Sequence, residues 1–147
     1  MAAVNESIEI DATPEEVWAV VMDPHRLGDW VTAHKKVYDA PSGGLAKGDS
    51  FKQKLRVVGP SFKVKWTVVE ASEPNLAVWE GKGPGGSAAD VRYELSETDG
   101  GGTRFDYCNS FELPGGPLSM PAKSIAGKPA TKQARKSLAN LKGLLES

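Results

Sequence analysis

Apolar and polar residues alternate along most of this chain, and where alternation stops they fall into a helical period. From Val4 to Ala12, Val4, Ile8 and Ile10 share one side, with Asn5, Ser7, Glu9 and Asp11 on the other. That is the period of a half-buried strand. It gives way at Thr13-Pro14-Glu15-Glu16, where Thr13 can cap the Glu16 N–H, Glu16 can reach back to Thr13, and Pro14 takes the first helical position. A helix of about ten residues follows. Its apolar face is Val17, Val20 and Val21, with Trp18 beside them, and Asp23-Pro24 ends it. The next stretch predicts a brief helical turn carrying Leu27, Trp30 and Val31.

Strands then dominate. Lys35 to Ala40 predicts a short one, and Pro41-Ser42-Gly43-Gly44 a loop. Phe51, Gln53, Leu55 and Val57 alternate with Lys52, Lys54 and Arg56; after a turn at Gly59-Pro60, Phe62, Val64, Trp66 and Val68 alternate with Lys63, Lys65 and Thr67. Leu76 to Gly81 makes a further strand, with Ala77, Trp79 and Gly81 on one face. After a Gly-rich connection come Val91, Tyr93 and Leu95, then a reversal at Asp99 to Gly102. The last strand sets Phe105, Tyr107, Asn109, Phe111 and Leu113 against Arg104, Asp106, Cys108, Ser110 and Glu112. The outer charges of these last two strands can pair across the hairpin.

The C-terminal run changes period. At about 100° per residue, Ala130, Ala134, Leu138, Leu141 and Leu145 form one stripe opposite Lys132, Arg135, Lys136, Lys142 and Glu146. This is an amphipathic helix starting near Lys128, with Pro129 in its first turn, and its apolar face needs a sheet to lie on. Extending the stripe backwards puts Ile125 on the charged side, which predicts a break near Gly127 to Pro129 and a separate helical segment from Leu118 to Ala126. That segment would border the mouth of any internal space.

Composition narrows the classes without naming a function. The chain has 147 residues, 39% of them hydrophobic and 25% charged, as expected of one soluble domain. Lys and Arg number 18 against 19 acidic residues, net -1, so no global attraction to nucleic acid or anionic membrane is expected. With Cys108 alone, an intrachain disulfide is impossible. No apolar run approaches the length of a membrane span, and the N-terminus lacks the pattern of a leader. The expectation is a cytoplasmic protein, a monomer or weak homodimer, without nucleic-acid partner or membrane insertion.

The residues Ser7 to Trp30, in which an alternating strand runs into a capped helix with Val17-Trp18, then Asp23-Pro24, then Trp30, resemble the START-like superfamily, in particular its polyketide cyclase/dehydrase branch. Leu45-Ala46-Lys47-Gly48-Asp49 ahead of a long strand, Gly101-Gly102-Thr103-Arg104 opening the last strand, and the closing helix from Leu138 to Glu146 extend the likeness over nearly the whole chain. The resemblance implies an α+β helix-grip fold: a strongly bent antiparallel sheet of about seven strands around the C-terminal helix, with an apolar cavity between them.

Candidate chemistry lies on the inward faces, which carry most of the aromatic residues. One reading has them pack a closed core. The other has part of them line a pocket for a flat or greasy ligand, the expected partner being a hydrophobic small molecule. The candidate ligand-binding residues are Trp30, Gln53, Leu55, Trp66, Trp79, Tyr93, Tyr107, Asn109, Phe111 and Met120. Among them Gln53, Asn109, Tyr93 and Tyr107 are polar, and each must bond to a neighbour, to water or to a ligand. A tyrosine could protonate a carbonyl and an amide could hold an enolate oxygen, but no inward acid or base stands out, so no catalytic residue is assigned and no cofactor is expected. His25 and His34 lack ligand-spaced partners, so no metal site is expected and both read as surface residues. Cys108 reads as inert, and the Gly-rich connection from Gly81 to Ala88 as a mobile one. The strip Lys52, Lys54, Arg56, Lys63 and Lys65 is either a solvated outer face or a surface for an acidic protein partner.

Overall fold

The computed structural model of the protein describes residues 2–56, 61–112 and 128–146. Strand β1 (Ala2–Ile10) leads into helix α1 (Pro14–Val21), a 3-10 turn (Pro24–Arg26) and helix α2 (Leu27–Trp30). Strands β2 (His34–Tyr38), β3 (Ser50–Leu55), β4 (Phe62–Ser72), β5 (Leu76–Lys82), β6 (Ala88–Glu97) and β7 (Thr103–Glu112) follow, and helix α3 (Lys128–Glu146) closes the chain. The expected turn at Gly59-Pro60, the segment Leu118 to Ala126 and the break near Gly127 lie outside the described residues, as do Val57, Leu113 and Met120.

The strands form one antiparallel sheet in the order β1-β7-β6-β5-β4-β3-β2, so the first strand sits beside the last. This is the helix-grip arrangement. The α1 start has the capping box read from the sequence: Thr13 accepts from the Glu16 N–H, and the Glu16 carboxylate accepts from the Thr13 N–H. Val17, Trp18, Val20 and Val21 are buried by α1.

Strand β4 is longer than its alternation suggests. A register shift between Val68 and Glu70 places Ala71, rather than an even-numbered residue, opposite the buried Ala77. One extra residue reverses the parity of everything after it, which is why the alternating pattern ends at Val68. The loop before β3 is tied to this irregularity, with Gly48 N–H donating to Val68 O at 2.8 Å and Val68 N–H donating to Asp49 O at 2.9 Å. Leu45 is buried and its N–H reaches Met22 O at 2.8 Å. The Gly102-Thr103 step clasps the end of β1, since Thr103 Oγ1 donates to Ala12 O at 2.7 Å. The connection from β5 to β6 is a closed turn, with Gly83 N–H on Ser87 O at 2.9 Å and Ser87 Oγ donating to Pro84 O at 2.7 Å.

Helix α3 packs Leu138 and Leu141 into the sheet's core and Ala134 against Val4. Its charged side is also engaged. Arg135 pairs with Glu6, Lys142 donates to Glu9 O at 2.8 Å, and Glu146 accepts from the Asp11 N–H at 2.8 Å, fixing the helix along β1. The outer charges of β6 and β7 pair along each strand rather than across the hairpin, Arg92 with Glu94 at 2.6 Å and Arg104 with Asp106 at 3.2 Å. The register explains this: Arg92 faces Cys108, and Glu94 faces Asp106.

Candidate functional site

The inner face of the sheet brings the predicted aromatics together as a continuous series of ring contacts. Trp79 is at the middle, with its ring 5.4 Å from Phe51, 5.9 Å from Trp66 and 5.2 Å from Tyr93, centre to centre. Tyr93 continues the series to Phe105 at 5.2 Å, Tyr107 at 6.0 Å and Trp30 at 6.1 Å. Most contacts are edge-on or tilted, the arrangement favoured by ring quadrupoles. Trp30 reaches the series from α2, so the helical turn after α1 serves to insert an indole over β6 and β7.

The polar candidates on this face are largely paired with one another. The Trp66 Nε1–H donates to Gln53 Oε1 at 2.9 Å, and Gln53 Nε2 lies 2.9 Å from His34 Nδ1. An indole nitrogen can only donate, so the amide oxygen must face Trp66 and the amide nitrogen must face His34. His34 therefore accepts at Nδ1 and carries its proton on Nε2. Burial lowers its pKa below the usual 6.5, in the same direction. The surface role expected for His34 is thus corrected: the imidazole is half-buried and terminates a polar chain reaching into the core. His25 is exposed, with Nε2 3.2 Å from Pro41 O. Asn109 Nδ2 donates to the Tyr107 hydroxyl at 3.1 Å. Burial pushes the Tyr107 phenol up to about 12, the Asn109 hydrogen bond acting the other way, and burial also raises Tyr93 well above its ordinary value. Both phenols hold their protons at neutral pH.

Two polar groups are left over. Among the described residues, the buried Nε1–H groups of Trp30 and Trp79 have no hydrogen-bond partner, and both rings pack on Tyr93. Neither N–H stands out in the sequence. An alternation pattern assigns Trp to the apolar face and says nothing of where its one donor points. Leu55 is partly buried at the edge of the core. Phe111 belongs to β7 opposite Ala89, while its side chain, like all of Met120, lies outside the described residues.

Two further residues and one surface recess escape the sequence reading. Glu6 has the parity of Val4 and Ile8, and the alternation itself was the available signal; it stands opposite Tyr107 and pairs with Arg135. Ser137 is buried on the inner stripe of α3, where its Oγ accepts the Thr32 N–H at 3.0 Å. On the outer face, β1, β7 and β6 form an open recess of about 630 Å³ lined by Asn5, Ser7, Arg92, Glu94, Arg104, Asp106 and Cys108, among others. Its charged walls do not suit an apolar ligand. Among the described residues no helix is long and apolar enough to cross a membrane.

The family model described as polyketide cyclase/dehydrase and lipid transport matches residues 1–146. "Toxin Rv0910" of Mycobacterium tuberculosis is 33% identical over 86 residues, 58% of this chain and 60% of its own length, so the match spans less than two thirds of that relative. "Uncharacterized protein Rv1546" of the same organism is 28% identical over 141 residues, 94% of each chain. Protein CV1439 of Chromobacterium violaceum shares the fold with a TM-score of 0.74 at 15% identity, over 100% of this chain and 99% of its own. A match of that extent, on a curled seven-stranded sheet closed by a C-terminal helix, places the chain in the polyketide cyclase/dehydrase and lipid transport family.

Proposed function

We propose that the protein binds a hydrophobic or aromatic small molecule, polyketide-like or lipid-like, between the inner face of the sheet and α3. The observation that carries this reading is the pair of buried, unpartnered indole N–H groups of Trp30 and Trp79, whose rings both pack on Tyr93. A buried donor without an acceptor costs about 1 to 3 kcal/mol, and a ligand oxygen would remove that cost. The family's description, which covers both polyketide chemistry and lipid transport, supports the same class of ligand. The test is native mass spectrometry of protein purified from its own host, with denaturing extraction of any retained compound. A hydrophobic compound retained by the wild type and lost from Trp79→Phe supports the reading; an empty protein that also ignores a panel of polyketides, lipids and quinones sinks it.

A second reading, a cofactor-independent cyclase or dehydratase, draws on the protonated phenols. A phenol held protonated by burial can donate to a carbonyl or a leaving hydroxyl. The inward carboxylate of Glu6 is engaged by Arg135, so a base for this reaction is not yet assigned. Tyr93→Phe or Tyr107→Phe would abolish turnover in an enzyme and only weaken binding in a carrier.

A further inference from the structure

Strand register organises the outer lysines into a lattice that the sequence shows only in part. Across β2, β3 and β4, Lys36, Lys54 and Lys63 stand directly opposite one another, and across β3, β4 and β5 so do Lys52, Lys65 and Lys82. Neighbouring strands are about 4.8 Å apart and alternate residues about 6.8 Å, so six ammonium groups share a small area. Like charges placed directly opposite weaken a sheet. Among the described residues, the ion pair these six lysines make is Lys52 with the exposed Asp39, at 3.6 Å. Six of the chain's 18 basic residues thus stand together on one half of one face, while the other half pairs its arginines internally. Lysine on the edge strand β2 guards against edge pairing, but β3, β4 and β5 are interior strands and need no such guard.

We propose that this face docks on an anionic lipid surface. The strand-paired positions of the lattice are all lysines, with Arg56 of the same strip just past the end of β3; lysines are flexible point charges that neutralise phosphate without fixing its orientation, whereas arginine's planar fork is the group suited to oriented, bidentate recognition. Interfaces with proteins and single-stranded nucleic acid also rely on exposed aromatic anchors. Here all four tryptophans are buried, and the Tyr38 ring is already engaged by Lys63 at 4.6 Å and Lys36 at 5.2 Å. A broad, predominantly basic face without aromatic anchors, with Asp39 and Glu80 as its acidic neighbours, matches a carpet of headgroups, where each basic residue adds its own electrostatic attraction. No apolar insertion is involved.

The test is co-sedimentation of the ligand-free protein with vesicles of phosphatidylcholine alone and of equimolar phosphatidylcholine and phosphatidylglycerol. The protein should bind the mixed vesicles in low salt, come off as salt rises, and ignore neutral ones. Lys54→Glu with Lys63→Glu should weaken binding by at least about tenfold, whereas Lys132→Glu with Lys136→Glu, the same charge change on exposed positions of α3, should leave it within about twofold. Equal losses in the two variants, or no preference for the anionic vesicles, overturn the proposal. So does tighter binding to polyglutamate or to single-stranded DNA than to vesicles, which would give the face to that partner instead. Both vesicle types offer acyl chains to the inner face alike, so a preference for anionic vesicles that the outer lysine variants remove reports on the outer face, whether or not the inner face binds a ligand.

Discussion

The Trp66 indole N–H and the Gln53 amide oxygen meet at 2.9 Å inside the core, and this one bond fixes the protonation state of His34 on the far side of the amide. If the imidazole were protonated at Nδ1, two donors would face each other there. Flipping the amide would only move the conflict to Trp66.

Stability should therefore depend on pH in the acidic range. The folded-state pKa of His34 lies below the unfolded value of 6.5, so between the two the unfolded chain binds more protons. Stability is fully present well above pH 6.5 and falls as the pH drops through that window. Chemical denaturation at a series of pH values, beside an NMR titration of His34, measures it. His34→Asn, which places an acceptor near the position of Nδ1, should flatten the slope; an unchanged slope would mean that other groups carry it.

At the alkaline end the sign is reversed. Tyr107 ionises at about 12 in the folded protein, above its ordinary 10.0, so the unfolded chain loses its proton first and stability falls as the pH rises from 10 to 12. The slope from this residue is at most about 1.4 kcal/mol per pH unit. Tyr107→Phe should remove that share and, by leaving the Asn109 amide without its acceptor, cost about 1 kcal/mol at neutral pH. Near-ultraviolet absorbance follows the ionisation directly.

Gly81 is required by its neighbours across the sheet. A Cβ there would lie 2.6 Å from Val64 Cγ1 and 2.7 Å from Trp66 Cε3, and neither a branched side chain nor an indole yields easily. Gly81→Ala is expected to destabilise the fold by about 1 to 3 kcal/mol and to alter the near-ultraviolet circular dichroism of the tryptophan cluster. A melt and spectrum matching the wild type would refute this.

Ser137 docks α3 onto the segment after α2. Its hydroxyl accepts the Thr32 N–H at 3.0 Å from a buried position, so Ser137→Ala should cost about 1 to 2 kcal/mol. Amide exchange at Thr32 should speed up selectively. Uniform acceleration throughout the protein would point instead to a general loss of stability.

By itself the sequence determined which residues face inward, and hence much of the fold. A strand's side-chain period is two and a helix's is close to 3.6, so periodicity alone assigns Phe51, Trp66, Trp79, Tyr93 and Phe105, and Leu138 and Leu141 of α3, to the core in which they are found. The capping box at Thr13 was legible for a similar reason, because its partners are three residues apart and meet through local geometry alone. What the tertiary structure decided is who meets whom across the chain. Trp66 to Gln53 to His34, Ser137 to Thr32, and Lys36 and Lys82 joining the lysine lattice all depend on strand register and helix docking, which join residues far apart in the chain. The bulge in β4 shows the limit most directly: one extra residue after Val68 reversed the facing of Ala71. No periodic pattern can announce a break in its own period, because it is the pairing with β5 that creates it.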